Sequence, residues 1–469
     1  MNAPDVLIDL GERRPPEQGV PRSRRGVVRR NWPVVSVALA VLLAAVLTAS
    51  RRPPELIDVA VLSVEELAHP VFSLDADALY LLSDSPINDG EVHRYRLRDG
   101  REGWRLAADR DGRFFGVTVL GGLLIVLGGI CPSLRDAEIF GVDRTTGRVR
   151  WRHPGRLLGS VPGTSLVVAE TRPGEERCGE PPWDPVEVTQ GVPAFAAASV
   201  DVVDLTTGAT RWSWTPGSGQ QMWYGSDSAG SIRQIVSTDR SGAIQMRDAA
   251  TGRVNASGRI PEAVATGPAP RGQPVRGASM VHDLLLFPRE VPGGVTLTAY
   301  SSRSLARLWT ATVVTHPAVE IVDTPWYSSC DRYLCVHSLY GLVAIDPANG
   351  SIGWRLEQAH TLVSGARWML VSATGAPDSG LRLVDARTGR LGSALTDYQM
   401  RGTFSGDSSR LVLIRTGGRD TIFTTLDLGT GRQRFLGRAK GAYNWCEATE
   451  RHLACLTGIR SVRLWRFAG

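Results

Sequence analysis

The sequence predicts an all-β chain folded as an eight-bladed β-propeller of four-stranded blades, preceded by one transmembrane helix; seven or nine blades are the neighbouring counts. Three observations lead there. A nine-residue figure, Asp-x-x-Thr-Gly-x-x-x-Trp, recurs in phase along the chain. Its copies step by about 47 residues, the length of a four-stranded blade. Beyond residue 52, short apolar runs alternate with turns and no helical period is sustained.

The figure is complete at Asp143–Trp151, with Gly147, and at Asp204–Trp212, with Gly208. Asp346–Trp354 keeps it with Asn349 in place of Thr and Gly350 in the turn; Asp427–Phe435 keeps Gly431 and exchanges Trp for Phe. Asp248–Ala256 (with Gly252) and Asp385–Ser393 (with Gly389) hold the turn and lose the Trp. Ser301–Trp309 and Arg96–Trp104 hold the Trp and degrade the turn, which makes eight copies. Each residue type has a physical task. The Asp carboxylate accepts N–H groups two and three residues on and ties the turn from inside. Gly supplies the positive φ of a hairpin loop. The Trp falls on the outgoing strand, where its apolar area packs against the neighbouring unit.

In chain order, residues 1–31 form a polar, Arg-rich tail expected to be disordered on the cytoplasmic side. Trp32–Ser50 is uncharged, and its nineteen residues would span about 29 Å as a helix, enough for a bilayer core. Arg22, Arg24, Arg25, Arg29 and Arg30 precede it and only Arg51 and Arg52 follow. The positive-inside rule then places the N-terminus in the cytoplasm and the rest outside, a single-pass plasma-membrane protein. Residues 51–68 read as linker and first strand, with Leu56–Leu62 the strand, and 69–469 as the extracytoplasmic propeller. Leu79–Leu82, Leu123–Leu127, Ser165–Val168, Leu284–Phe287, Met369–Val371 and Leu411–Ile414 are second strands of successive units. Ala442–Cys446, His452–Leu456 and Ser461–Phe467 are three strands lacking a fourth, which Leu56–Leu62 can supply, closing the ring and removing exposed edges. Taken literally this gives nine sheets; eight holds where one weak unit is a partial blade.

The formal charge of +6 comes almost wholly from residues 1–52, which hold nine Arg against Asp5, Asp9, Glu12 and Glu17. The high pI therefore describes a tail and gives no nucleic-acid-binding surface. All six cysteines lie beyond residue 52. With two-residue turns at Arg332-Tyr333 and Glu450-Arg451, Cys330 faces Cys335 and Cys446 faces Cys455, at separations that suit disulfides. By elimination Cys131 pairs with Cys178; free buried thiols are the alternative.

The repeated figure resembles the tryptophan-docking motif of pyrroloquinoline-quinone-like (PQQ-like) β-propellers, over roughly residues 69–469. The resemblance implies a propeller and no particular chemistry, since that superfamily holds quinoprotein dehydrogenases and also scaffolds similar to outer-membrane assembly factors. The enzyme branch implies vicinal cysteines over the quinone and a Ca²⁺-ligand segment; here no two cysteines are adjacent and no ligand segment carries over. No Gly-x-Ser-x-Gly, His-Glu-x-x-His, phosphate loop or dinucleotide fingerprint occurs. The expectation is a membrane-anchored, non-enzymatic binding or scaffold module of the bacterial cell envelope, without cofactor, metal or nucleic acid. The alternatives are a quinoprotein-type enzyme and a ligand-sensing ectodomain. A protein or envelope partner is expected on the face of the long second-to-third connections: Ser83–Gly90, Cys131–Glu138, Glu170–Ala198, Arg289–Gly294 and Thr374–Gly380. Glu170–Ala198 is the candidate binding loop, with Glu180, Trp183 and Asp184 its candidate contacts.

Overall fold

The computed structural model describes residues 56–467 except 64–70, 84–89, 109–112, 130–136, 164, 172–196, 218–219, 227–230, 240, 264–278, 292–293, 316–325, 339–340, 358, 374–379 and 459–460. Of the two units into which the chain divides, Met1–Arg52 and Pro53–Gly469, the described residues all belong to the second. The first described strand is β1 (Leu56–Ser63). Blade I is β2 (Val71–Leu74), β3 (Ala78–Ser83), β4 (Glu91–Arg96) and β5 (Glu102–Ala107). Blade II is β6 (Arg113–Leu120), β7 (Leu123–Gly129), β8 (Glu138–Asp143) and β9 (Val149–Pro154); blade III is β10 (Arg156–Val161), β11 (Ser165–Thr171), β12 (Ala197–Asp204) and β13 (Thr210–Trp214). Blade IV is β14 (Gln221–Ser226), β15 (Ile232–Thr238), β16 (Ala243–Asp248) and β17 (Val254–Arg259); blade V is β18 (Ser279–Val281), β19 (Leu284–Val291), β20 (Gly294–Ser301) and β21 (Arg307–Thr315). Blade VI is β22 (Trp326–Cys330), β23 (Tyr333–Ser338), β24 (Gly341–Ile345) and β25 (Ile352–Glu357); blade VII is β26 (Ala359–Ser364), β27 (Trp368–Ala373), β28 (Leu381–Asp385) and β29 (Leu391–Leu395). The last sheet has eight strands: β30 (Tyr398–Phe404), β31 (Asp407–Gly417), β32 (Asp420–Asp427) and β33 (Arg432–Lys440), joined to β34 (Tyr443–Ala448), β35 (His452–Thr457), β36 (Ser461–Phe467) and β1.

The second strands carry buried apolar residues on both faces, as in β3 and β7, and the alternation sends their odd and even residues to different neighbours. Leu124 and Val126 pack toward blade I, with Tyr80 and Leu82. Leu123, Ile125 and Leu127 pack toward blade III, with Leu166 and Val168. The same rule carries round the ring, until Leu74, Leu79 and Leu81 of blade I meet Leu62, Ala454, Val462 and Leu464 of β1, β35 and β36.

The fold corrects the expectation of eight four-stranded blades. Among the described residues there are seven four-stranded sheets and one eight-stranded sheet; with its two halves the strands make nine quartets. The halves meet through a parallel pairing of β30 with β34, Gly402 lying opposite Cys446. Repeat counting finds only eight because the last quartet has no hairpin between its third and fourth strands. β36 and β1 come from opposite ends of the chain and pair antiparallel, so no turn motif joins them. β19 and β20 also reach farther than the loop expected at Arg289–Gly294, pairing as far as Val291 with Gly294.

The expected transmembrane helix, and the single-pass plasma-membrane topology built on it, do not stand. Among the described residues no helix is long and apolar enough to cross a membrane. The one helical feature in them is a short 3-10 turn at Pro261–Ala263, and their apolar runs are committed to strands. Residues 1–31 and 32–50, on which the tail and the anchor rested, lie outside the described residues.

Candidate functional site

The recurring residues are brought together at the junctions between blades. Asp143 Oδ1 accepts the N–H groups of Thr145 and Thr146 at 3.0 and 2.9 Å and the Thr146 hydroxyl at 3.1 Å. Asp204 does the same with Thr206 and Thr207, and Asp385 with Arg387 and Thr388. Asp248 takes the N–H and hydroxyl of Thr251; Asp427 takes Gly429 and Thr430. In Asp346–Trp354, Asp346 takes Ala348, and the substituted Asn349 accepts the Ser351 N–H. The Thr146 N–H and the Arg150 guanidinium hold the Asp143 carboxyl down to about 2. Arg211 and the Thr207 N–H do so at Asp204, also to about 2. The turns are therefore stabilised at neutral pH, and that contribution is lost as pH falls from the ordinary 3.8 through about 2.

Each motif Trp reaches the turn of the next blade. Trp104 Nε1 donates to Arg144 O at 3.0 Å, Trp151 to Leu205 O at 2.9 Å and Trp212 to Ala249 O at 3.2 Å. Trp309 donates to Pro347 O at 2.8 Å and Trp354 to Ala386 O at 3.1 Å. Each acceptor directly follows the first residue of the turn, and each indole lies over that turn's glycine. A Cβ on Gly208 would come within 2.5 Å of Trp151, and one on Gly389 within 2.7 Å of Trp354. Gly147, Gly252 and Gly350 stand in the same relation to Trp104, Trp212 and Trp309.

The two copies without Trp are repaired in different ways, neither visible in the motif. Blade IV offers Ala256, and blade V answers with Leu305 where glycine belongs, at φ 56°. Both pack beside Trp223, Val236 and Met246, so the knob comes from the opposite side of the junction. Blade VII offers Ser393 on β29, and Trp368 of β27 takes over. A Cβ on Gly431 would lie 2.8 Å from Trp368 Nε1, and the Trp368 backbone N–H donates to Leu428 O at 2.9 Å.

Among the described residues two disulfides are present, Cys330–Cys335 and Cys446–Cys455, with Cα separations of 5.8 and 4.1 Å. The second joins residues directly opposite one another. The first is diagonal: the turn falls at Asp331-Arg332, so Cys330 faces Tyr333 and Cys335 faces Ser328. Cys131, Cys178 and the loop contacts Glu180, Trp183 and Asp184 lie outside the described residues.

Three polar groupings between blades were not legible in the sequence, because each is assembled from several strands. His153 Nε2 lies 3.3 Å from Thr210 Oγ1 and 3.6 Å from Asp201 Oδ2, and Ser213 donates to the other Asp201 oxygen at 2.5 Å. The carboxylate stands between the serine and the histidine, so the arrangement holds the strands and does not activate a nucleophile. Ser328 Oγ lies 2.7 Å from His337 Nε2 and 3.2 Å from Ser364 Oγ. Burial, with His360 nearby, holds His337 well below its ordinary value, and it is neutral at pH 7. Glu447 of β34 accepts the Leu74 N–H of β2 at 2.6 Å, across the closing seam.

Burial pushes the Glu447 carboxyl up to about 7, against the lowering effect of the Leu74 N–H. A carboxyl raised in the folded state binds its proton there more tightly, so stability falls as pH rises from 4.5 to about 7. Glu447→Gln keeps the acceptor oxygen. It is expected to stabilise the protein by about 1–3 kcal/mol at pH 8 and to change little at pH 4. Thermal melts at the two pH values check this; equal shifts at both would show that ionisation is not involved.

Among the described residues, no group of three or more His, Cys, Asp or Glu is placed to hold a metal ion. No curated protein sequence matches the chain. A solved structure described as a eukaryotic initiation factor is similar at 13% identity and a TM-score of 0.52, covering 84% of this chain and 94% of that one, and shares the fold. BamB from Moraxella catarrhalis is similar at 16% identity and a TM-score of 0.39, covering 77% of this chain and 98% of that one. A family model described as outer membrane protein assembly factor BamB matches residues 196–434, just over half of the chain, and the chain belongs to that family.

Proposed function

We propose that the ring of residues 53–469 is a non-catalytic scaffold that binds protein partners, as the description of its family as an assembly factor suggests. One observation carries the reading: the residues the chain repeats are used up in holding blades together. Five motif indoles each give their N–H to a carbonyl of the next blade, and the motif aspartates tie their own turns. What recurs is therefore architecture, and a rigid ring with varied surfaces suits docking.

Chemical cross-linking of the full chain in its native cells, followed by affinity purification, is expected to recover a defined protein partner in stoichiometric amount. Incubation with pyrroloquinoline quinone and Ca²⁺ is expected to leave no bound chromophore and no alcohol oxidation. A bound quinone with turnover would overturn the reading.

A further inference from the structure

We propose that the outer strand of blade VII, β29, is a docking edge that takes an extended peptide from a partner protein, one that presents an apolar and an acidic side chain on the same face, added as a fifth strand. The inference rests on the scaffold reading and names where on the ring a partner attaches. In a propeller the fourth strand of each blade has one unpaired row of N–H and C=O groups, and such edges are ordinarily blunted by charge or proline. The other outer strands here follow that rule: β5 carries Glu102 and Arg105, β9 carries Arg150, Arg152 and Pro154, and β13 carries Arg211. Arg259, Arg307, Arg355, Arg434 and Asp58 mark β17, β21, β25, β33 and β1. β29, Leu-Gly-Ser-Ala-Leu, has neither charge nor proline.

Two further observations concern the same strand. It has been relieved of docking the next blade, because Trp368 of β27 covers Gly431 in its place. Its first four residues are exposed, and Leu391 is 53% exposed. Small residues at Gly392, Ser393 and Ala394 let another backbone approach closely. The register gives the chemistry of the visitor: Leu391 lies opposite Val384, and Ala394 opposite Arg382, on one face of the sheet. Arg382 is exposed and makes no ion pair among the described residues. Beside Ala394, which has no bulk to block it, the guanidinium can reach a carboxylate on the added strand, while Leu391 meets an apolar side chain. Main-chain hydrogen bonds supply the affinity and these two positions the selectivity.

The probe is a short fluorescent synthetic peptide of repeated Val-Thr-Glu-Thr, which sets valine and glutamate on one face, titrated onto the full-length protein and followed by anisotropy and by amide hydrogen exchange. Saturable binding is expected, with increased protection confined to residues 391–395 and their β28 partners. Leu391→Asp and Arg382→Glu are each expected to weaken it about tenfold or more without changing the melting temperature, since both side chains are exposed. Arg382→Glu should gain affinity for the matching valine–lysine peptide, a reversal that misfolding would not produce. The proposal is overturned by no binding, by protection on another segment, or by Arg382→Glu leaving the peptide preference unchanged. Concentration-dependent dimerisation abolished by Leu391→Asp would also overturn it, by making a second copy the occupant. Partner capture that survives Leu391→Asp and Arg382→Glu would leave the scaffold reading standing and remove this edge from it.

Discussion

Trp151→Ala is expected to destabilise the ring by about 3–5 kcal/mol, the range for removing a buried aromatic that leaves a cavity. Trp151 is buried, and two glycines make room for it. On its own blade Gly141 lies opposite it, where a Cβ would strike the indole, and Gly208 lies beneath it on the next blade. The ring fills the junction with Leu166, Val168 and Val203. Its loss would also leave the Leu205 carbonyl without its indole donor. Trp151→Phe keeps most of the packing and should lose mainly the hydrogen bond, about 1 kcal/mol. Trp212→Ala and Trp354→Ala should cost less than Trp151→Ala, because those indoles are only partly buried. Denaturant melts of the four variants check the order; no loss at Trp151 would mean that the indoles do not hold the blades together.

Gly402→Val is expected to cost about 3 kcal/mol or more, the upper end of overpacking. A Cβ at Gly402 would run into the Cys446 carbonyl oxygen, where β30 and β34 pair in parallel. Backbone cannot swing aside as a long side chain can, so the two halves of the eight-stranded sheet would have to part. Faster proteolysis around Gly441, which links β33 to β34, should accompany the lower melting point. Gly417→Ala is the control: nothing lies within 4 Å of a Cβ there, and it should melt like the parent. Equal behaviour of the two variants would show that the joint tolerates separation.

Much of the ring was legible because its adhesive is written at fixed spacing. An Asp, a Gly and a Trp nine residues from end to end announce both a turn and what lies on it. What spacing could not show is substitution across strands. Trp368 sits seventeen residues before the aspartate of its own blade's motif, yet covers the glycine its blade was meant to cover. Leu305 reads as a damaged turn until Ala256 is seen opposite. The ninth quartet could be read as strands but carries no copy of the figure for a related reason, its third and fourth strands never being consecutive in the chain. The diagonal Cys330–Cys335 pair shows a finer limit: a turn shifted by one residue changes which cysteine faces which strand, while both remain within bonding distance. The docking edge was invisible because a strand without charge looks like any other until the strands beside it are known to be guarded.

The pairing of β1 with β36 also orders events in time. Asp58 and Arg463, which form an ion pair across it, are separated by 405 positions. β1 leaves the ribosome well before its partner, so while the strands between them are made it waits with Leu62, which the closed ring buries, uncovered. Closing so long a loop costs roughly 4 kcal/mol more entropy than closing a four-residue hairpin, and nothing is gained from it until β36 is in place. Ring closure is thus expected to be the late, slow phase of folding. A mutation in β36 should then prolong the life of a nearly complete but open ring, and aggregate yield at fixed stability would rise with the duration of that interval.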